Sequence, residues 1–117
     1  MSELIERLRS CPELMEKMGM MYDECLYFAD KGMHPIINFD NDDCPGSALF
    51  VVRGLKVLRD INLVPHLRAY NNCWWCGQDW ENTALPLTPT MSQAVGEALY
   101  AVFADAPLPA ISDEVAP

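Results

Sequence analysis

The residues whose spacing most suggests chemistry are two cysteines in the segment CWWCG, at positions 73–77. Cysteines separated by two residues can both bind one tetrahedral metal ion, and the glycine after them lets the backbone turn toward the sulfurs. A closed zinc site needs two further ligands, and the donors outside the predicted helices are Cys44, His34 and His66. The sequence therefore offers a structural zinc site whose spacings match no standard zinc finger, made of Cys44, His66, Cys73 and Cys76. Two ordinary buried or half-buried thiols are the simpler interpretation.

The sequence gives little support for redox chemistry, calcium binding or catalysis. A redox dithiol needs a lowered thiol pKa, usually from a helix N-terminus in a βαβ unit, and no such pattern surrounds the pair. An Asp40-x-Asp42 pair is typical of a calcium loop, but Pro45 and Val51 stand where that loop needs glycine and glutamate. The chain lacks the G-x-S-x-G, H-E-x-x-H and P-loop motifs. We therefore expect no enzymatic activity.

Aromatic and acidic residues cluster around the cysteine pair, where Tyr70 and all three tryptophans fall within eleven residues. Tryptophan and tyrosine anchor protein interfaces because they bury a large area at a low cost in rotamer entropy. Adjacent residues rarely face the same way, so at least one of Trp74 and Trp75 is expected in the core. The predicted partner-binding residues are Asp40, Asp42, Asp43, Trp74, Trp75, Asp79, Trp80 and Glu81.

Charge narrows the class of partner. The 117 residues carry 17 acids and 8 Lys or Arg, a net charge of −9. Acids exceed bases in residues 1–43 and 72–117, and bases exceed acids in residues 44–71. Because Lys and Arg supply most of the affinity for phosphate backbones, we expect no direct nucleic-acid binding. The composition favours a protein partner with a basic surface, while the simplest interpretation of the alternating charges is internal pairing and solvation.

The compartment is expected to be the cytoplasm. The first ten residues mix acids with apolar residues and do not resemble a signal peptide, and no run reaches the ~18 apolar residues that a membrane span needs. Five cysteines are an odd number without an export signal, which favours free thiols in a reducing environment.

The elements that would position these residues are predicted to be mostly helical. A helix over 2–9 precedes a long helix that starts at a Ser10–Glu13 capping box, continues through Ala29 and ends at Gly32. An extended segment over 34–39 and a loop lead to a helix over 47–60. Residues 61–70 fit a short helix or a strand, 71–89 are irregular, and a second capping box at Thr90 opens a core helix. The predicted fold is mainly α: one small helical bundle over 1–104 with a long irregular loop holding the Trp and Cys residues, at most one short extended pairing, and a flexible acidic, proline-containing tail over 105–117.

Size, acidity and the lack of a catalytic constellation together indicate a small non-enzymatic interaction protein. Such a protein binds a macromolecular partner and inhibits or scaffolds it, as toxin-immunity factors and phage-encoded inhibitors of bacterial defence do; this is a likeness of type only. The alternative is a zinc-stabilised structural or binding module centred on Cys73 and Cys76. A homodimer is a further expectation, because a short chain can hide an apolar helix face or a tryptophan in a second copy.

Overall fold

The computed structural model describes residues 2–30, 32–78 and 85–105. Their elements, in chain order, are α1 (Ser2–Arg9), α2 (Pro12–Met18), β1 (Met20–Asp23), β2 (Cys25–Phe28), α3 (Pro45–Asp60), β3 (Pro65–Tyr70), β4 (Cys73–Gln78) and α4 (Met91–Asp105). The strands form two separate antiparallel pairs, β1–β2 and β3–β4. The fold is therefore a mixture of helices and sheets, and the expectation of a mainly helical bundle with at most one short pairing is wrong.

The long helix expected after Pro12 ends at Met18. Gly19 adopts a left-handed conformation with φ of 73°, and its N–H donates to the carbonyl of Glu16. A left-handed residue closes a helix, and glycine adopts that conformation without the strain a side chain would add. The chain then reverses through the β1–β2 hairpin, in which Glu24, with φ of 70°, separates the two strands. The same apolar residues that fit one helical stripe thus belong to a helix and two strands.

The start of α2 also differs from the expectation. The predicted capping box needs the Ser10 hydroxyl to accept a bond from the helix, but this hydroxyl donates to the carbonyl of Arg7 at 2.6 Å. Cys11 occupies the N-cap position and its side chain makes no capping hydrogen bond. Pro12 in the first turn starts the helix instead, because its fixed φ suits that position and it has no N–H to satisfy.

The stretch expected to be irregular contains the second hairpin. Strand β3 resolves the ambiguity of residues 61–70, and β4 covers residues placed in the long loop. Tyr70 pairs with Cys73, so the connection is Asn71-Asn72, and Asn71 has φ of 55°. Two-residue hairpin loops require positive φ, which asparagine tolerates better than most residues.

The helices expected at Ser47 and Thr90 are present as α3 and α4. They pack closely at Gly54, where an added Cβ would lie 2.5 Å from Cγ1 of Val95. The core joins α1, α2, α3, α4 and both sheets, and its most buried large side chains include Leu8, Leu14, Met18, Leu26, Phe28, Phe39, Phe50 and Leu99.

No helix in the described part of the chain is long and apolar enough to cross a membrane. The expected tail, apart from the end of α4, lies outside the described residues.

Candidate interaction surface

Strand β4 places the two cysteines of the pair on opposite faces. Cys73 and Cys76 are three residues apart, and successive side chains of a strand alternate between its two faces. Cys76 is buried in the core, and this burial raises the pKa of its thiol to about 12. Cys73 lies half-buried on the other face, opposite Tyr70. In this conformation the two sulfurs do not converge on one metal ion.

The other two predicted zinc ligands lie on different elements. Cys44 occupies the N-cap position of α3, and His66 pairs with Gly77 across the β3–β4 hairpin. Within residues 2–30, 32–78 and 85–105, no group of three or more His, Cys, Asp or Glu side chains is arranged to hold a metal ion. The zinc site stays a prediction, and the described residues do not assemble it.

The two tryptophans of β4 are also divided between the faces of the hairpin. Trp74 packs against the core, and its backbone exchanges hydrogen bonds of 2.7 and 2.8 Å with Thr88. Trp75 points to the opposite face, and its ring lies close over Gly77, where an added Cβ would come within 2.7 Å of ring atom Cζ2. Trp74 is therefore mainly a packing residue, and Trp75 is the one available to a surface.

Trp75 belongs to a mixed aromatic and polar surface. Register pairs it with Arg68 and pairs Tyr70 with Cys73, so these four side chains share one side of the sheet. We call Arg68, Tyr70, Cys73 and Trp75 the hairpin face. The Tyr70 side chain is 46% exposed, and Trp75 is half-buried. Tryptophan, tyrosine and arginine are the residue types most enriched among those that dominate binding energy.

The three predicted aspartates have different roles, although all lie in residues 40–43, here called the aspartate loop. The Asp42 carboxylate accepts hydrogen bonds from the backbone N–H groups of Met91 at 2.6 Å and Ser92 at 3.0 Å. It therefore satisfies the otherwise unpaired first turn of α4. Asp40 and Asp43 are exposed. Oδ1 of Asp40 also accepts a long hydrogen bond from Nε2 of Gln93, at 3.5 Å. Asp42 is thus a structural residue, and the exposed oxygens of the other two carboxylates can steer a partner.

One segment joins the aspartate loop to the second hairpin. Thr88 bonds to the backbone of Trp74, and two residues later the Thr90 hydroxyl donates to the carbonyl of Phe39, next to the loop. Gln93 reinforces this contact, donating from Nε2 to the same Phe39 carbonyl at 2.9 Å. The structure thus attaches both halves of the predicted surface to the start of α4. The predicted site residues Asp79, Trp80 and Glu81 lie outside the described residues.

Two ion pairs connect distant segments of the chain, and one of them, Arg53–Asp30, joins the base-rich middle to the acid-rich first segment. Arg7 donates two hydrogen bonds to the Glu97 carboxylate, at 3.1 and 2.8 Å, and these raise the pKa of the Arg7 guanidinium. Arg53 donates from Nη2 to both carboxylate oxygens of Asp30, at 3.0 and 2.9 Å, and from Nη1 to the carbonyl of Met18. Each pair removes one acid and one base from the surface balance, so the excess of acids persists.

Sequence reasoning missed a second surface, on the β1–β2 sheet. On strand β1 Met20 is buried in the core, whereas the next residue, Met21, is 51% exposed. Tyr27 lies opposite Met21 and also bridges to Ile36, which is 56% exposed. If residues 20–23 had been assigned to a strand, the alternation of its side chains between two faces would have predicted that Met21 is exposed.

Comparison with known protein families, with curated proteins and with solved structures found no match, so the function is inferred from the residues of this chain alone.

Proposed function

We propose that this protein is a non-enzymatic binding protein that recognises a partner protein with a basic surface. The hairpin face and the exposed carboxylates of the aspartate loop form the contact. The observation that carries the proposal is the outward placement of Tyr70 and Trp75 on a two-stranded sheet whose other side is packed into the core. Rigid aromatic side chains on a fixed element lose little entropy on binding.

The two kinds of residue would contribute differently to binding. Asp40 and Asp43, together with the net charge of −9, attract a basic partner over a distance and raise the association rate. Tyr70 and Trp75 supply the buried apolar contact that slows dissociation. Binding of this kind would inhibit the partner or hold it in an assembly, in the cytoplasm, without chemistry by the protein itself.

A capture experiment tests the proposal. The wild-type chain, immobilised at low salt, is exposed to an extract of the cells that produce it, and captured proteins are quantified by mass spectrometry. The test variants are Tyr70→Ala and Trp75→Ala, and Val52→Ala, at an exposed position of α3, is the matched control. Circular dichroism and thermal unfolding check that every variant is folded.

We expect a basic protein to be captured equally by the wild type and the Val52→Ala control. Its capture should fall about tenfold or more with each aromatic variant, since anchor residues contribute about 2 kcal/mol or more. It should also fall as salt increases. A set of captured proteins that is the same for all variants, or a specific partner that is acidic, would contradict the proposal.

A further inference from the structure

Strand β1 has an open edge. It pairs with β2 through four residue pairs, from Met20↔Phe28 to Asp23↔Cys25. Among the described residues its backbone has no other hydrogen-bonding partner. In an antiparallel pair, half of the backbone N–H and C=O groups of an edge strand point away from its neighbour and can accept another strand.

The sheet beside this edge is held in place from the other side. Residues 35–37 attach to β2 through two backbone bonds, from Phe28 to Pro35 at 3.1 Å and from Ile37 to Leu26 at 2.9 Å. The inner face of this arrangement is buried, with side chains that include Met20, Leu26, Phe28 and Ile37. The outer face is therefore presented to solvent by a fixed backbone.

An apolar row crosses this outer face. Met21 lies opposite Tyr27, and Tyr27 bridges to Ile36, so the three side chains are neighbours across the sheet. Met21 and Ile36 are both more than half exposed, and His34 packs edge-on against the Tyr27 ring at 5.6 Å. Exposed apolar rows of this kind are typical of binding surfaces.

The charge at this edge selects the partner. Asp23 shares the outer face with Met21, and Glu24 follows it at the exposed tip of the hairpin. The described bases that lie over aromatic rings of this hairpin, Arg9 and Arg53, each pair with a carboxylate, of Glu6 and Asp30 respectively. The end of the edge near the hairpin tip therefore presents negative charge next to an apolar row, whereas Lys17 and Lys56 lie near Gly19, just before β1.

We propose that β1 binds an extended, basic segment of another protein, which adds to the sheet as a further strand. Backbone hydrogen bonds to the open edge give affinity, and alternate side chains give selectivity. Aliphatic side chains of the segment contact Met21, and Lys or Arg side chains lie beside Asp23 and Glu24. A second copy of this chain is a poor occupant, because it brings the same carboxylates and a net charge of −9. This surface is separate from the hairpin face.

An NMR titration of the full chain tests the proposal with synthetic peptides of about eight residues, a length that covers an edge strand. One peptide alternates Val with Lys, a second alternates Val with Glu, and a third is the Val–Lys peptide with a central proline. We expect the Val–Lys peptide to shift the backbone amide signals of residues 20–23 in a saturable way. The affinity of the other two peptides should be at least about tenfold lower, because one carries the wrong charge and the other loses a backbone donor.

Variants locate the binding site. Asp23→Lys combined with Glu24→Lys should weaken binding of the Val–Lys peptide about tenfold. Glu13→Lys, which reverses an exposed charge on α2, and Tyr70→Ala on the hairpin face should leave it unchanged. No shifts, shifts that map to β3–β4, or equal binding of the Val–Glu peptide would overturn the proposal. So would a concentration-dependent dimer that buries the β1 amides, since that result would assign the edge to a second copy.

Discussion

At the scale of single residues, strand geometry decides what the cysteine pair does. A C-x-x-C spacing brings both sulfurs to one ion when the chain turns tightly, but on a strand it sends them to opposite faces. Cys76 thereby becomes a core residue, and Cys73 joins the hairpin face. The spacing alone could not distinguish these outcomes, because both are consistent with the same five letters.

Serine substitutions separate the two roles. Cys76→Ser places a hydroxyl in the core and should lower the free energy of unfolding by about 1–3 kcal/mol. Cys73→Ser changes a half-buried position and should lower it by no more than about 0.5 kcal/mol. Urea unfolding with and without a chelator measures both. A similar large loss in both variants, reproduced in the wild type by the chelator, would favour the zinc module.

The buried thiol also predicts a dependence of stability on alkaline pH. The pKa of Cys76 is raised from 9.0 to about 12, so above pH 9 the unfolded chain loses this proton while the folded chain keeps it. Stability from this group is therefore complete below pH 9 and declines toward pH 12, by up to about 1.4 kcal/mol per pH unit. Cys76→Ala should remove this part of the decline, and Cys73→Ala should retain it. Parallel declines in the two variants would show that Cys76 does not cause it.

Asp42 carries a third prediction at this scale. Replacing it with alanine removes both side-chain acceptors from the first turn of α4 and should reduce the free energy of unfolding by about 1–2 kcal/mol. Asp43→Ala, a neighbouring exposed carboxylate, is the matched control and should change it by less than about 0.5 kcal/mol. Thermal and urea unfolding give the comparison. Equal stability of the two variants would mean that Asp42 does not hold the helix.

At the scale of elements, some of the fold could be predicted from the sequence. α3 and α4 have long, regular apolar periodicity, and Thr90 caps α4 as its position suggests, accepting from the Gln93 N–H at 3.3 Å. Helices of this kind can be predicted from the periodicity of their own residues, without knowledge of tertiary contacts. The β1–β2 hairpin could not be separated from a helix by periodicity, because its apolar residues fit both patterns. Gly19, a residue that can end a helix, is the local feature that decides between them.

The turn of the β3–β4 hairpin could have been predicted from the sequence, although residues 71–89 were expected to be an irregular loop. Asn71-Asn72 lies between Tyr70 and the segment that contains Trp74 and Trp75, and asparagine tolerates the positive φ that a two-residue turn needs. The contacts that place the candidate site are less accessible to sequence reasoning. Asp42 contacts α4 across about fifty residues, and Arg7 reaches Glu97 across ninety. Nothing local in the sequence indicates such pairs.

The crossing of α3 and α4 gives a prediction about packing between elements. Gly54→Ala should improve intrinsic helix propensity by about 1 kcal/mol. Its Cβ, however, would meet Val95 at 2.5 Å and Leu99 at 3.0 Å, so these side chains or the helices that carry them must shift. We expect a net loss of about 1–3 kcal/mol in the free energy of unfolding. Val52→Ala on the exposed side of α3 should stay within about 0.5 kcal/mol of the wild type. A Gly54→Ala protein more stable than the wild type would show that the contact is not tight.

At the scale of the whole molecule, the charges are unevenly distributed, with an excess of acids in residues 1–43 and 72–117 and an excess of bases in residues 44–71. Ion pairs such as Arg7–Glu97 and Arg53–Asp30 join distant parts of the chain. Each pair neutralises one of the 8 Lys or Arg residues with one of the 17 acids, so the excess of acids in the chain is unchanged. The described residues place exposed carboxylates in the aspartate loop and at the tip of the β1–β2 hairpin, and each of the two small sheets has an apolar or aromatic outer face. This combination supports binding to basic proteins as the common theme of the molecule.

The kinetics of binding to the captured basic partner, measured at several salt concentrations, separate the contributions of the carboxylates and the aromatic residues. Asp40→Asn combined with Asp43→Asn should slow association, weaken its salt dependence and leave dissociation nearly unchanged. Tyr70→Ala and Trp75→Ala should instead speed dissociation about tenfold or more, since hot-spot residues act mainly on the lifetime of a complex. An association rate that does not fall with salt, together with aromatic variants that dissociate like the wild type, would show that neither the carboxylates nor the hairpin face makes the contact.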